Sequence, residues 1–140
     1  NVSFRPLQAV ERMGELLATA DVSVIPQKTG VADIVLPSKL ANILASGRPV
    51  IAAAGEGTEL AHILRDGDCG RVVPQGSPVL MADAILELRD DPALRARFGA
   101  NGRRYMESHL GRVAVLGQFR GELLALASGE VPAPQGAPLR

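Results

Sequence analysis

The chain lacks most of the residues from which metal sites and disulfides are built. It has 140 residues but a single cysteine, no tryptophan and only 3% aromatic residues. One cysteine, Cys69, excludes an internal disulfide and a metal site made of cysteines. The two histidines, His62 and His109, lie far apart with no ligand spacing around either. We therefore expect no metal ion.

The chain also has no excess of charge and no long apolar run. Lys+Arg and Asp+Glu number 15 each, so there is no basic field for a polyanion, and aromatic residues are too few to stack on bases. We expect no nucleic-acid partner. No run of about 18 apolar residues occurs, so no transmembrane helix is predicted. With 46% hydrophobic residues, the composition is that of a globular domain with a real core.

Short apolar runs alternate with helical patterns, which is typical of an α/β fold with a parallel sheet. Strands are predicted at residues 2–4, 22–25, 50–53 and 70–73. Helices are predicted at residues 7–18, between Ser38 and Gly47, and at residues 59–64, 79–89, 93–108 and 112–127. The fold class is therefore α/β, a parallel sheet with flanking helices and a helical C-terminal part.

Residues 36–53 have the clearest pattern: a loop, a short helix, a glycine stop and a buried strand. Ser38 is a favourable N-cap, because its hydroxyl can accept a hydrogen bond from a free N–H of the first turn. Gly47 stands where a left-handed residue ends a helix, and Pro49 prevents the helix from continuing. The face that is predicted to pack inward contains Leu40, Ile43 and Leu44.

The chemistry that this stretch indicates is anion binding. A helix N-terminus offers unpaired N–H groups and the positive end of the helix dipole, and Lys39 adds a full positive charge. Asn42 lies one turn after Ser38 and can point at the same site. The alternative, from the residues alone, is that Lys39 is a solvated surface lysine and Asn42 an ordinary polar residue of the helix.

Three segments meet at the carboxyl ends of the predicted strands: Pro26, the loop 27–37 and the loop 53–58. Ligands of parallel sheets bind at this edge. Gly55 and Gly57 would let a ligand approach the backbone closely. Thr58 can cap the helix that follows. The alternative to a ligand loop is a plain turn between strand and helix.

The string P-S-K-L-A-N-I-L-A-S-G-R-P-V, from Pro37 to Val50, resembles the donor-site segment of family 4 glycosyltransferases. It is most similar to the branch that makes colanic acid and other exopolysaccharides. The similarity extends from the start of the chain to about Leu126, with supporting matches at residues 20–26, 55–60, 66–70, 91–95 and 101–105.

This resemblance implies a Rossmann-like domain of the GT-B architecture. Residues 1–128 are expected to be a partial C-terminal nucleotide-sugar-binding domain, and residues 129–140 a disordered tail. The N-terminal acceptor domain of the same enzyme is expected outside this chain. So are the first strands of the donor domain, with the Arg and Lys that contact the diphosphate in the family. The isolated piece is expected to be inactive.

The function that the resemblance implies is sugar transfer by a retaining, metal-independent glycosyltransferase. The donor is a nucleotide-diphosphate sugar, which is a substrate, and no further cofactor is expected. The acceptor is a growing exopolysaccharide, either a saccharide or a lipid-linked one. The enzyme would be cytoplasmic and would act at the inner face of the plasma membrane.

The resemblance also assigns site residues. Those matched to the nucleotide-sugar site are Pro37, Ser38, Lys39, Leu40 and Asn42. Those matched to the loop and helix beside the nucleobase are Leu7, Gln8 and Met13. The wider family has two glutamates with seven residues between them. Asn42 stands at the second position and Ile34 at the first, and the neighbouring Asp33 is a candidate replacement for the first glutamate. The catalytic residues otherwise stay unknown.

Two rival functions remain open. A nucleotide-sugar epimerase of related two-domain architecture would bind the same diphosphate, but it needs acid and base carboxylates and a histidine. A flavodoxin-like binding domain without enzymatic activity would bind no sugar nucleotide. A Rossmann dehydrogenase is disfavoured, because no Gly-x-Gly-x-x-Gly follows the first strand.

Overall fold

The computed structural model describes residues 2–28 and 36–129, and within them three strands form one parallel sheet. The strands are β1 (Ser23–Pro26), β2 (Val50–Ala53) and β3 (Gly70–Val73), in the order β1-β2-β3. Ser23 pairs with Val50, and Val50 with Gly70, so the three strands are in register along their whole length. The predicted parallel α/β sheet is confirmed.

Helices follow or precede every strand. A 3-10 turn, Val10–Arg12, leads into α1 (Met13–Ala18), which precedes β1. The helices that connect or follow the strands are α2 (Lys39–Ala45), α3 (Glu59–Asp66), α4 (Pro78–Asp90), α5 (Pro92–Tyr105) and α6 (Arg112–Ala127). A π-helical turn, Met106–Leu110, joins α5 to α6. The C-terminal part is therefore helical, as predicted.

The middle strand β2 divides the core in two, because side chains alternate across a strand. All four of its residues are buried. Val50 and Ala52 pack with α2 and α3, whereas Ile51 and Ala53 pack with α4 and Phe98 of α5. The sheet is thus covered on both faces, which fits the near-continuous apolar sequence of β2.

Two glycines allow the end of α2 to touch α5 directly. Gly47 has a φ of +70° and follows the last turn of α2, as predicted, with its N–H donating to the Leu44 carbonyl at 3.0 Å. A Cβ on Gly99 would lie only 2.0 Å from the Gly47 carbonyl oxygen. The two backbones can therefore pack together only because residue 99 has no side chain.

One predicted element is absent from the structure. Residues 2–9 form no helix or strand, although a strand was predicted at residues 2–4, and Val2 and Phe4 are 80% and 96% exposed. A strand needs a partner, and β1 pairs only with β2 in the described part of the chain. The expected tail at residues 129–140 lies, apart from Gly129, outside the described residues.

The close contact of the two backbones predicts a strong effect of Gly99→Ala. The added methyl group would push α5 away from the turn after α2, and we expect the free energy of unfolding to fall by about 2 kcal/mol. Gly117→Ala is the matched control, since Gly117 is also helical but has open space around its would-be Cβ. It should leave stability unchanged or raise it by up to about 1 kcal/mol. Urea unfolding measures the stability of both variants and of the wild type. A Gly99→Ala variant as stable as the wild type would contradict the close packing of the two backbones.

Candidate functional site

The carboxyl edge of the sheet is held together by backbone hydrogen bonds that continue the strand pairing. The Gln27 N–H donates to the Ala53 carbonyl and the Ala54 N–H to the Val73 carbonyl, both at 3.0 Å. The chain leaves all three strands at this edge, so α2, α3 and α4 begin beside it. Parallel sheets bind their ligands there.

The start of α2 differs from the predicted N-cap geometry. Ser38 occupies the N-cap position, but its φ of −56° and ψ of −23° are already helical, and its side chain makes no capping hydrogen bond. A capping serine needs an extended backbone to aim its hydroxyl at the first turn. The prediction that the hydroxyl caps the helix is therefore wrong. The Leu40 N–H instead donates to the Pro37 carbonyl at 2.9 Å.

The remaining residues of this helix separate cleanly into two faces. Leu40, Ile43 and Leu44 are buried in the core, as predicted. Lys39 and Asn42 are exposed and lie three residues apart, so they are neighbours on the outer surface. Neither side chain forms a hydrogen bond or ion pair within the described residues. Leu40, also predicted as a binding residue, instead anchors the helix to the sheet.

The residues predicted beside the nucleobase lie on a separate segment. Leu7 is 98% exposed, Gln8 donates through Nε2 to the Pro6 carbonyl at 2.9 Å, and Met13, half-buried, begins α1. Arg48 Nη2, just before β2, donates to the Ala18 carbonyl at 2.5 Å. The end of α1 is therefore fixed at the amino edge, beside the start of β2.

Among the described residues, the nucleobase group and the start of α2 share no recorded hydrogen bond. Within the described chain, no hydrogen bond links Leu7, Gln8 or Met13 to residues 36–42. Asp33, the candidate for the missing acid, lies outside the described residues. The structure therefore brings together Pro37, Ser38, Lys39 and Asn42 at the start of α2.

The loop after β2 is fixed by Thr58. Its Oγ1 accepts from the Ala61 N–H at 3.2 Å and donates to the Gly55 carbonyl at 2.8 Å, and the residue is only 5% exposed. The predicted cap is confirmed. Arg65 adds a second restraint by donating through Nη1 to the Glu56 carbonyl at 3.1 Å. This loop is a rigid wall of the carboxyl edge.

Two glutamines at the same edge were missed by the sequence reasoning. Gln75, after β3, donates through Nε2 to the Lys28 carbonyl at 3.1 Å and so bridges the ends of the outer strands. Gln27, after β1, has a buried side-chain oxygen without a hydrogen-bond partner in the described structure. Their position in the sequence could have indicated them, since a polar residue just after a buried strand lies at the carboxyl edge of the sheet.

The opposite, amino edge carries a cleft of about 220 Å³, lined by Asp21, Gly47, Arg48, Pro49, Pro92, Arg95 and Ala96. Its two guanidinium groups already have partners. Arg48 holds the end of α1, and Arg95 donates through Nη1 to the Leu88 and Arg89 carbonyls at 2.6 and 2.7 Å. Both arginines bind carbonyl groups at the ends of helices, so their position beside the cleft is explained by the packing of the fold.

The pKa shifts of the described residues lie away from the carboxyl edge. Burial, and next the negative charge of Asp68, raise the pKa of the Cys69 thiol to about 11, so this cysteine stays protonated and inert at neutral pH. Desolvation, followed by the charge of Glu59, raises the pKa of Tyr105. The hydrogen bond from Arg71 lowers the pKa of Glu87.

Neither a metal cluster nor a membrane span is found in the part of the chain that the structure describes. Over residues 2–28 and 36–129, no group of three or more His, Cys, Asp or Glu side chains is arranged to hold a metal ion. In the same ranges, every helix is too short or too polar to cross a bilayer.

Comparison with known proteins shows the family to which this chain belongs. The family model described as "Glycosyl transferases group 1" matches residues 1–91. The matched region ends directly after α4 and therefore includes all three strands and the carboxyl edge. The chain belongs to the group 1 glycosyltransferase family. This agrees with the expected Rossmann-like fold of a GT-B C-terminal domain.

Three relatives illustrate the range of names in this family. The chain is 36% identical over 121 residues to WcaI of Escherichia coli strain K12, named for glycosyl transfer in colanic acid biosynthesis, and the match covers 85% of this chain and 28% of the relative. It is 32% identical to the D-inositol 3-phosphate glycosyltransferase of Streptomyces coelicolor, over 76% of this chain and 22% of the relative. It is 34% identical to the phosphatidyl-myo-inositol mannosyltransferase of Mycobacterium leprae, over 73% and 28%. The matched part of this chain thus spans about a quarter of the length of these relatives.

The two hydrogen bonds of Thr58 predict a test of the loop after β2. Thr58→Val keeps the shape but removes both bonds, and we expect a loss of about 1–2 kcal/mol in the free energy of unfolding. Thr58→Ser is the matched control, because it keeps the hydroxyl and loses only a methyl group. Denaturant unfolding measures both, and a Val variant as stable as the Ser variant would contradict the role given to the cap.

Proposed function

We propose that the full-length protein transfers a sugar from a nucleotide-diphosphate sugar and that this chain is its donor-binding part. The observation that carries the proposal is the family match over residues 1–91, which includes the whole carboxyl edge of the sheet. The position of the exposed Lys39 and Asn42 beside that edge supports the same assignment. The isolated chain, about a quarter of the relatives' length, is expected to be inactive.

The start of α2 would hold the donor diphosphate. Lys39 supplies a positive charge, and the Ser38 hydroxyl is available because it does not cap the helix. As the glycosidic bond breaks, negative charge grows on the leaving diphosphate, and a cation fixed beside it lowers the energy of that state. Asn42 can both donate to and accept from the ribose diol. Leu7, Gln8 and Met13 stay proposed neighbours of the nucleobase, and Asp33 a proposed sugar contact.

The proposed acceptor is a growing exopolysaccharide, and the names of the relatives support it. The relative named for colanic acid biosynthesis supports a growing exopolysaccharide as acceptor, saccharide or lipid-linked. We propose a retaining, metal-independent reaction in the cytoplasm, at the inner face of the plasma membrane where the acceptor is lipid-linked. The relative named for phosphatidyl-myo-inositol supports a lipid-borne acceptor in the same family.

The two rival functions stay alternatives to this proposal. An epimerase would need a histidine with acid and base carboxylates at the ligand edge. His62 is exposed in the first turn of α3, beside that edge. His109 instead stacks on Tyr105, with ring centroids 4.4 Å apart, and Tyr105 lies beside Gly67, before β3 and thus at the amino edge. In a non-enzymatic flavodoxin-like binding domain, the exposed Lys39 and Asn42 would be ordinary surface residues of α2.

Lys39→Ala tests the proposed diphosphate contact. We expect the full-length protein to bind one of UDP, GDP or ADP, and the variant to bind it about tenfold more weakly, which is 1.4 kcal/mol. Arg89→Ala removes an equal charge from the far end of α4 and should change the affinity less than twofold. Isothermal titration calorimetry measures both. Equal affinities for wild type and Lys39→Ala would refute the diphosphate assignment.

The last helix supports a second domain as the partner of this one. No residue of α6 is buried. Its exposed large side chains are Val113, Val115, Leu116, Phe119, Leu123, Leu124 and Leu126, each between 47% and 88% exposed. A helix that is apolar on most of its surface needs a cover. The N-terminal acceptor domain of the same full-length enzyme is the proposed cover, because the relatives are about four times longer than the matched region.

Phe119→Glu tests this cover by comparing two lengths of the protein. In the 140-residue chain Phe119 is 57% exposed, so we expect a change in stability below about 0.5 kcal/mol. In the full-length protein the new charge would be buried against the other domain and should cost about 2 kcal/mol or more. Arg120→Glu, on the neighbouring polar position, is the control. Equal small effects in both lengths, measured by thermal unfolding, would rule out a cover over Phe119.

A further inference from the structure

Gln27 lies at the proposed donor site without having been assigned to it. Its backbone N–H continues the pairing of β1 with β2 by donating to the Ala53 carbonyl at 3.0 Å. Side chains alternate along a strand, so Gln27 shares the face of Ile25, which packs in the core with α2. The Gln27 side chain therefore lies on the same face of the sheet as α2, at the edge where that helix begins.

The state of its amide group is unusual for a folded protein. Gln27 Oε1 is buried and accepts no hydrogen bond within the described residues. Leaving a buried acceptor unpaired carries the full cost of removing it from water, and such a group calls for an explanation. Thr58, the buried polar residue on the next loop, has both of its hydrogen bonds made.

The chemistry of the group selects the kind of ligand that would satisfy it. A neutral amide oxygen needs a hydrogen-bond donor. Phosphate oxygens of a nucleotide diphosphate carry no proton at neutral pH, so they cannot pair with it. Hydroxyl groups of a sugar can. The side chain as a whole is partly exposed, and its last torsion is broad, so a bound hydroxyl can reach the amide after a small rotation.

We infer that Gln27 is a specificity-determining residue that accepts a hydrogen bond from a hydroxyl group of the bound donor. The hydroxyl belongs either to the transferred sugar or to the nucleotide ribose, and both have the same chemistry. The inference rests on the proposed function, because it needs a sugar nucleotide at this edge. It adds an acceptor, the Gln27 Oε1, that pairs with a hydroxyl donor, whereas Lys39 supplies positive charge.

The test uses the full-length protein and the probes UDP, GDP, ADP, UDP-glucose, GDP-mannose and ADP-glucose. Gln27→Met keeps the length of the unbranched side chain but removes the amide, so its melting temperature should not fall. Gln27→Asn keeps the amide but withdraws it by one methylene. Gln75→Met is the control, since Gln75 lies at the same edge and already has a partner in the Lys28 carbonyl.

We expect both Gln27 variants to bind the preferred sugar nucleotide about tenfold more weakly by calorimetry, and the control to stay within twofold. If the nucleoside diphosphate without sugar loses affinity equally, the contact is to the ribose. If only the sugar nucleotide is affected, the contact is to the sugar. Unchanged affinity in either folded Gln27 variant overturns this inference but not the proposed function. The wild-type amide would then be satisfied by a water molecule and not by the donor. Failure of the wild type to bind any probe overturns the proposed function and this inference with it.

Discussion

The burial of four consecutive residues, Val50 to Ala53, is the constraint on which the described structure depends. Strand β2 pairs with a parallel neighbour on each side and is covered by helices on each face. Parallel pairing requires that the chain return over the sheet between strands, which places the starts of α2, α3 and α4 at one edge. The same burial that stabilises the core therefore also assembles the candidate site.

Local sequence was sufficient to predict much of this architecture. The apolar run of β2, the inward face of α2 and the glycine stop at Gly47 are signals within a few residues, and the structure agrees with each. The predicted strand at residues 2–4 failed because a strand depends on a partner elsewhere in the chain. The Ser38 cap failed for a similar reason, since residue type permits capping but the backbone angles decide it.

The candidate site could be predicted only in part. Features set by residues close in sequence were predictable, whereas those set by residues far apart in the chain were not. The exposure of Lys39 and Asn42 follows from helical spacing and is readable in sequence. Whether a polar group finds a partner is set by residues distant in the chain, so the unpaired Gln27 oxygen and the Gln75 bridge to Lys28 could not be foreseen. The nucleobase group stays a prediction, because no hydrogen bond among the described residues joins Leu7, Gln8 or Met13 to α2.

The two edges of the sheet differ in how completely their polar side chains are hydrogen-bonded. At the amino edge, Arg48 and Arg95 are each bonded to helix carbonyls, and Asn101 donates to the Asp68 carbonyl at 2.9 Å. At the carboxyl edge, the buried Gln27 Oε1 has no hydrogen-bond partner among the described residues. Stability alone favours satisfying every buried polar group. At the carboxyl edge Thr58 and Gln75 are paired as well, so the Gln27 oxygen departs from this rule as a single group in the described part of the chain, and it is the group for which we infer a ligand.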